Sequence, residues 1–198
     1  MRTITIPAAA FAAVAIFTVS ANAEELAGVG NFHKVNATVY RGAQPSKAGF
    51  ENLAKAGVKT VIDLRRVNEH DTAAERRIVE GLGMRYVNIP MNGVVAPTDS
   101  QVSQVLAILD GPSTGPAFVH CKRGADRTGG VIACYRVQHD GWENKKALHE
   151  AKANGMSWTQ FGVKSYVMAY RPGAVTNAPV SAPKLPAAAA ALTPAGAQ

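Results

Sequence analysis

The ten residues His120-Cys121-Lys122-Arg123-Gly124-Ala125-Asp126-Arg127-Thr128-Gly129 put a thiol, a guanidinium six positions on and a hydroxyl beside it into one short stretch. An apolar run, Pro116–His120, leads in, and a helical pattern from Thr128 leads out. A strand that turns through a glycine into a helix aims successive backbone N–H groups at one point, which makes an anion nest at the helix N-terminus. Gly124 supplies backbone angles that a side chain would obstruct. Arg127 can grip two oxygens of a phosphate or similar tetrahedral oxyanion. The dipoles that bind the anion also stabilise Cys121 as a thiolate, the nucleophilic form. Thr128 can donate its hydroxyl to the sulfur and ease its later departure. His120 is better placed to hold the loop than to act as a base, because a thiolate already formed needs none.

Taken whole, His-Cys-x-x-Gly-x-x-Arg-Thr-Gly resembles the signature of the cysteine-based protein tyrosine and dual-specificity phosphatases, in the flavour of the small bacterial periplasmic group. The likeness runs from Val39–Ser46, through Val61–Arg65, to the helices after the loop. It implies a dual-specificity-phosphatase-like α/β fold and hydrolysis of phosphate monoesters through a phosphocysteine intermediate. Cys121 would be the nucleophile, Arg127 the phosphate binder and Thr128 the hydroxyl that assists the sulfur. The amides of Lys122, Arg123, Gly124, Ala125 and Asp126 would cradle the phosphoryl oxygens.

Ester cleavage by a thiolate also calls for a proton on the leaving oxygen and a base for the water that follows. The resemblance places an aspartate on a loop upstream of the cysteine. Between Gly81 and His120 only Asp99 and Asp110 are carboxylates. Asp99 follows the flexible Asn92–Thr98 segment and is the choice; Asp110, beside Gly111-Pro112, reads as a turn residue. Asp126, inside the loop, is the rival. Arg65, after Asp63 at a strand end, braces the loop, touches substrate or simply pairs with Asp63.

Positioning these groups requires a scaffold, and its elements alternate. Phe32–Arg41 reads as a short hairpin, Val58–Leu64 and Met84–Pro90 as strands, and Pro116–His120 as the strand that delivers the cysteine. Ser46 caps a helix bearing Phe50, Leu53 and Ala54, and Asn68 is expected to cap the next, with Ala74, Ile78 and Leu82 on one face. Thr98 with Gln101 forms a capping box ahead of Val102, Val105, Leu106 and Leu109. Helices are expected over Thr128–His139, Trp142–Asn154 and Gln160–Tyr170. Strands alternating with helices predict an α/β fold whose central, mostly parallel sheet is flanked by helices.

The chain has 198 residues and a net charge of +7, which favours anionic partners. A phosphorylated protein or small molecule fits; nucleic acid does not, since there is no long basic run and no zinc-finger spacing. Lys122 and Arg123 also suit a substrate with several phosphates, so an inositol phosphate or phosphoinositide stands as the alternative to phosphotyrosine and phosphoserine/threonine. Two cysteines make no disulfide framework. Cys134 lies on an apolar helix stripe, more than a turn from the loop, and no Cys121–Cys134 bond is expected. No metal-ligand spacing occurs, and neither metal nor organic cofactor is implied.

The N-terminus places Arg2 before an apolar run, Pro7 to Val19, and then Ala21-Asn22-Ala23. This is the pattern of a signal peptide over residues 1–23, too short for a comfortable membrane span. Export, to the periplasm in a bacterium, and no stable membrane insertion are the expectations. Residues 24–171 would form the phosphatase domain, and the Ala/Pro-rich 172–198 a disordered tail. The oligomeric state is left open.

Overall fold

The computed structural model describes residues 25–173; the expected leader, and the expected tail beyond Gly173, lie outside that range. The elements run β1 (His33–Lys34), β2 (Val39–Ala43), α1 (Lys47–Lys55), β3 (Thr60–Asp63), α2 (Thr72–Gly81), β4 (Arg85–Asn88), α3 (Asp99–Leu109), β5 (Ala117–Cys121), α4 (Asp126–Gln138), α5 (Asn144–Ala153) and α6 (Phe161–Ala169). The strands form one sheet in the order β1-β2-β5-β3-β4. Only the β1–β2 hairpin is antiparallel; β2, β5, β3 and β4 run parallel. The mostly parallel sheet read from the alternation is therefore the observed architecture.

Pleating decides which side chains go where. Val61, Tyr86 and Phe118 face one core, shared with Phe50 and Leu53 of α1 and Val79 of α2. Their neighbours Ile62, Val87 and Val119 face the other, filled by residues of α3, α4, α5 and α6. Alternation of this kind is how a sheet covered on both faces buries both sets of side chains. The helix α4, which follows the cysteine loop, is buried along nearly its whole length. Its Gly130 lets α6 approach: a Cβ there would lie 2.6 Å from Val163 Cγ1.

The caps at Ser46 and Thr98 form as expected, accepting from the N–H groups of Gly49 and Gln101. The expected cap at Asn68 does not. Asp71 caps α2 instead, accepting from Ala74 N at 2.8 Å. Asn68 is taken up in a 3-10 turn, Val67–Glu69. That turn is closed by Arg66 and tied to Arg127 through Glu69, so the helix begins only after it.

Candidate active site

Cys121 is the last residue of β5 and is buried. After it the chain turns through Gly124, whose φ is +67°. A Cβ there would stand 2.3 Å from the Gly42 carbonyl carbon, so only glycine fits against β2.

Three successive carbonyls of the loop are held from outside. Lys122 O accepts from Gln44 N at 3.3 Å, Arg123 O from Asn31 Nδ2 at 3.3 Å, and Gly124 O from Arg41 Nη2 at 2.7 Å. In a planar trans peptide the N–H points opposite to the preceding C=O. The N–H groups of Arg123, Gly124 and Ala125 therefore face away from these anchors, and none donates to a protein group among the described residues. Unpaired, convergent amides ahead of a helix N-terminus are an anion-binding nest.

Arg127, on the first turn of α4, closes the nest. Its Nη1 donates to Glu69 Oε1 at 2.8 Å and Oε2 at 3.0 Å, and to Met91 O at 3.4 Å. Its Nε and Nη2 donate to nothing among the described residues. That edge is the two-donor fork an oxyanion needs. Gly93 stands beside it: a Cβ there would lie 3.8–4.0 Å from Cζ, Nη2 and Nε, so the missing side chain keeps the edge uncovered. Thr128 Oγ1 is buried and has no hydrogen-bond partner among the described residues.

The carboxylates near the loop are committed elsewhere. Asp126 Oδ1 accepts from Ser157 N at 2.8 Å and its Oδ2 pairs with Arg123. Asp99 accepts from the Tyr166 hydroxyl at 2.7 Å. Its charge falls on Cys134, Tyr166 and Tyr170. Cys134 is seven residues up α4 from Arg127, which at 1.5 Å per residue is about 10 Å along the axis. Asp99 is thus held at Tyr166, and delivery of a proton from Asp99 to the loop would require it to leave that partner.

Beneath the loop lies a buried ionic cluster. Asp63 accepts from Arg65 Nε at 2.9 Å and Tyr86 Oη at 2.9 Å, and Arg65 Nη2 also reaches Glu75. Glu75 Oε1 is 3.1 Å from His120 Nε2, so His120 faces the cluster from β5. Burial opposes ionisation of Asp63, but His120 and Arg65 outweigh it and hold the carboxyl below its ordinary range. Asp63, Glu75 and His120 bring ligand-type atoms within 4.8 Å of one another. Arg65 already supplies the positive charge between the two carboxylates, so the cluster is an ion-pair brace. Of the roles open to Arg65, pairing with Asp63 is the one formed.

Sequence reasoning missed Arg41, Asn31, Gln44 and Glu69. One signal was present: Arg41 is in phase with buried Val39 on β2, where a core residue belongs. Burial pushes Arg41 down to about 10, which leaves it charged at neutral pH. Cys121 and Cys134 are both free and buried, with no bond between them.

A parallel strand delivering a recessed cysteine to a ring of unpaired amides, with an arginine fork above, defines a cysteine-loop oxyanion-binding protein. The chain belongs to the family described as "DSP-PTPase phosphatase fused to NAD+ Kinase", whose model matches residues 8–168. It is similar to the dual specificity protein phosphatase TpbA of Pseudomonas aeruginosa, 29% identical over 63% of this chain and 55% of that protein. It therefore spans just over half the length of that relative. The inositol diphosphatase DSP3 of Arabidopsis thaliana is 26% identical over 70% of each chain. A crystal structure of P. aeruginosa TpbA in complex with pTyr superposes with a TM-score of 0.60 at 28% identity, covering 70% of this chain and 83% of that one. Among the described residues no helix is long and apolar enough to cross a membrane.

Proposed function

We propose that the protein is a metal-independent phosphatase that hydrolyses phosphate monoesters through a phosphocysteine intermediate, with phosphotyrosine its main substrate class. The observation that carries this reading is the set of three unpaired loop amides above Cys121, backed by the open edge of Arg127. The Cys121 thiolate attacks phosphorus; an S–P bond forms as the P–O bond to the leaving group breaks. Equatorial oxygens sit on the loop amides and the Nε–Nη2 edge, where developing charge is stabilised most. Water then attacks the phosphocysteine, inorganic phosphate departs and the thiolate returns. The unpartnered hydroxyl of Thr128 is available to the returning sulfur.

Because Asp99 and Asp126 are both engaged, the site favours leaving groups that depart with little help. A tyrosine phenolate, with a conjugate-acid pKa of about 10, is such a group; a serine alkoxide is far more basic. The same demand is met by a phosphate leaving from a diphosphate. That supports a second reading, an inositol diphosphate or related inositol substrate, in line with the DSP3 likeness. The leader-like segment supports export to the periplasm, which cell fractionation checks.

Phosphate release without metal from a phosphotyrosine peptide, an aryl phosphate, a phosphoserine peptide and an inositol diphosphate tests the proposal. Wild type should act on the first two, and Cys121→Ser on none. Undiminished turnover by Cys121→Ser would overturn it, and activity confined to the inositol substrate would exchange the two readings.

A further inference from the structure

Six large apolar side chains are exposed among the described residues, and five of them lie on three segments around Arg127. Val67, 65% exposed, belongs to the 3-10 turn whose Glu69 holds Arg127. Val94 and Val95, 78% and 56% exposed, follow Gly93, which stands against the guanidinium. Trp158 and Phe161, 77% and 66% exposed, lie on a segment anchored to the same rim through Ser157 and Gln160. Ser157 N bonds Asp126 of the loop, and Gln160 Nε2 bonds Gly93 O at 2.9 Å. The indole and the Phe161 ring meet edge to face at 6.3 Å, and Lys164 Nζ donates to Trp158 O at 2.8 Å. Scattered single apolar residues on a surface need no explanation, whereas a clustered set beside a site marks binding.

Resting on the phosphatase reading above, we propose that this rim, centred on Trp158 and Phe161 and completed by Val94 and Val95, is a specificity site for a phosphotyrosine peptide with apolar residues next to the tyrosine. The occupant follows from what the pocket demands. Whatever enters must put its phosphate on the buried loop, so its body rests on the surrounding segments. Cys121 is buried, so the phosphate enters the loop while the rest of the substrate stays against the segments around it. Apolar side chains flanking the tyrosine are then desolvated against the indole and the valines.

The charges on the rim argue in the same direction. Arg123 is paired with Asp126, Arg66 with Glu69, and Lys164 is held by a carbonyl. Among the described residues of the loop, Lys122 is the cation whose side chain forms no ion pair or hydrogen bond, and the Glu69 carboxylate stands on the same rim. A second or third phosphate would find one ammonium and one repelling carboxylate there. A monophosphate with an apolar body meets neither shortage.

Two phosphotyrosine peptides decide this, one with leucine and valine beside the tyrosine and one with serine and glycine. Wild type should show a kcat/KM ratio of about tenfold or more in favour of the apolar peptide, as expected for burying an aromatic anchor. Trp158→Ala/Phe161→Ala, and independently Val94→Ser/Val95→Ser, should bring that ratio toward one. The peptides' binding affinities for Cys121→Ser, with and without the rim substitutions, should show the same ratios. A wild-type ratio near one, or a ratio unmoved by the substitutions, overturns the inference. So does a loss seen only with phosphoinositide in vesicles, which would make the rim a membrane surface. Absence of phosphate release by wild type from every substrate would sink the phosphatase reading instead, while the binding ratios in Cys121→Ser still decide the rim.

Discussion

Replacing Glu69 by glutamine separates two effects that the structure places on one side chain. Both carboxylate oxygens chelate Arg127 Nη1, at 2.8 and 3.0 Å, and so fix the plane of the guanidinium. A hydrogen bond to a charged group contributes about 1.5–3 kcal/mol. Glu69 is 22% exposed, so solvent screening reduces the expected loss to about 1–2 kcal/mol. If that orientation matters chiefly in the transition state, kcat falls about tenfold, since about 1.4 kcal/mol is one decade. Removing the negative charge acts oppositely on the ground state. At about 6 Å and an effective dielectric of about 20, a carboxylate repels each phosphate charge by about 3 kcal/mol before screening. Glu69→Gln should therefore lower kcat while inorganic phosphate inhibits it several-fold more strongly. Glu69→Asp should restore part of kcat.

Acid gives a second readout of the same pair. Burial opposes ionisation of Glu69, but the hydrogen bonds and charge of Arg127, helped by Arg66, hold its carboxyl below the usual carboxylate range. A depressed folded value means the stabilisation is present above the unfolded value of about 4.3 and is lost as pH falls through the lower folded one. Urea unfolding should show wild type more stable than Glu69→Gln at pH 7, with the gap closing below about pH 4. An equal gap at both pH values, or an unchanged kcat with weaker phosphate inhibition, would refute the reasoning.

Arg41→Met should weaken vanadate or phosphate binding about tenfold, because Gly124 O loses its charged anchor. Stability should fall by at most about 1–2 kcal/mol, since losing the Nη2–Gly124 O bond is offset by no longer burying Nε and Nη1 without partners; binding and urea unfolding measured together check both halves. Gly124→Ala should abolish turnover and lower the melting temperature, because the new Cβ would lie 2.3 Å from Gly42 backbone; wild-type activity would show that the loop can move off β2. Cys134 should resist iodoacetamide in the native protein, as burial and the Asp99 charge push its thiol up to about 12; mass spectrometry should find label on Cys121 alone. Asp99→Asn should cost at most about twofold on an aryl phosphate, against the hundredfold or more of a general acid at work; a loss of that size would mean that Asp99 leaves Tyr166 during turnover.

Much of the site was legible because its chemistry is contiguous. Cys121, Gly124, Arg127 and Thr128 fall within one strand-to-helix turn, and local spacing carries their geometry. The sheet was legible for a similar reason: Val61 and Ile62, Tyr86 and Val87, Phe118 and Val119 send neighbours to opposite cores. The loop's supports were not legible. Gly124 is held by Arg41 from 83 residues away, and Arg127 by Glu69 from 58 away. Glu69 reads as an ordinary acid near a helix start, and its use in the 3-10 turn is also why the cap falls on Asp71 and not on Asn68. No period in the chain encodes such a contact; it exists only once β2 and β3 lie on either side of β5.

That arrangement also explains how the turn between β5 and α4 is held in one backbone conformation. A loop rich in Lys, Arg and Gly has many backbone states, and each residue fixed costs about 1–2 kcal/mol of conformational entropy. Here the cost is offset outside the loop: Gln44, Asn31 and Arg41 take its carbonyls in turn, and Asp126 ties its end to Ser157. Because the anchors hold C=O groups, they leave the N–H groups unpaired, which is the state that binds an oxyanion. Anchors on the N–H groups would fix the backbone equally well and destroy the site. On the proposed reading, the loop's affinity for an anion would follow from which half of each peptide its anchors take up.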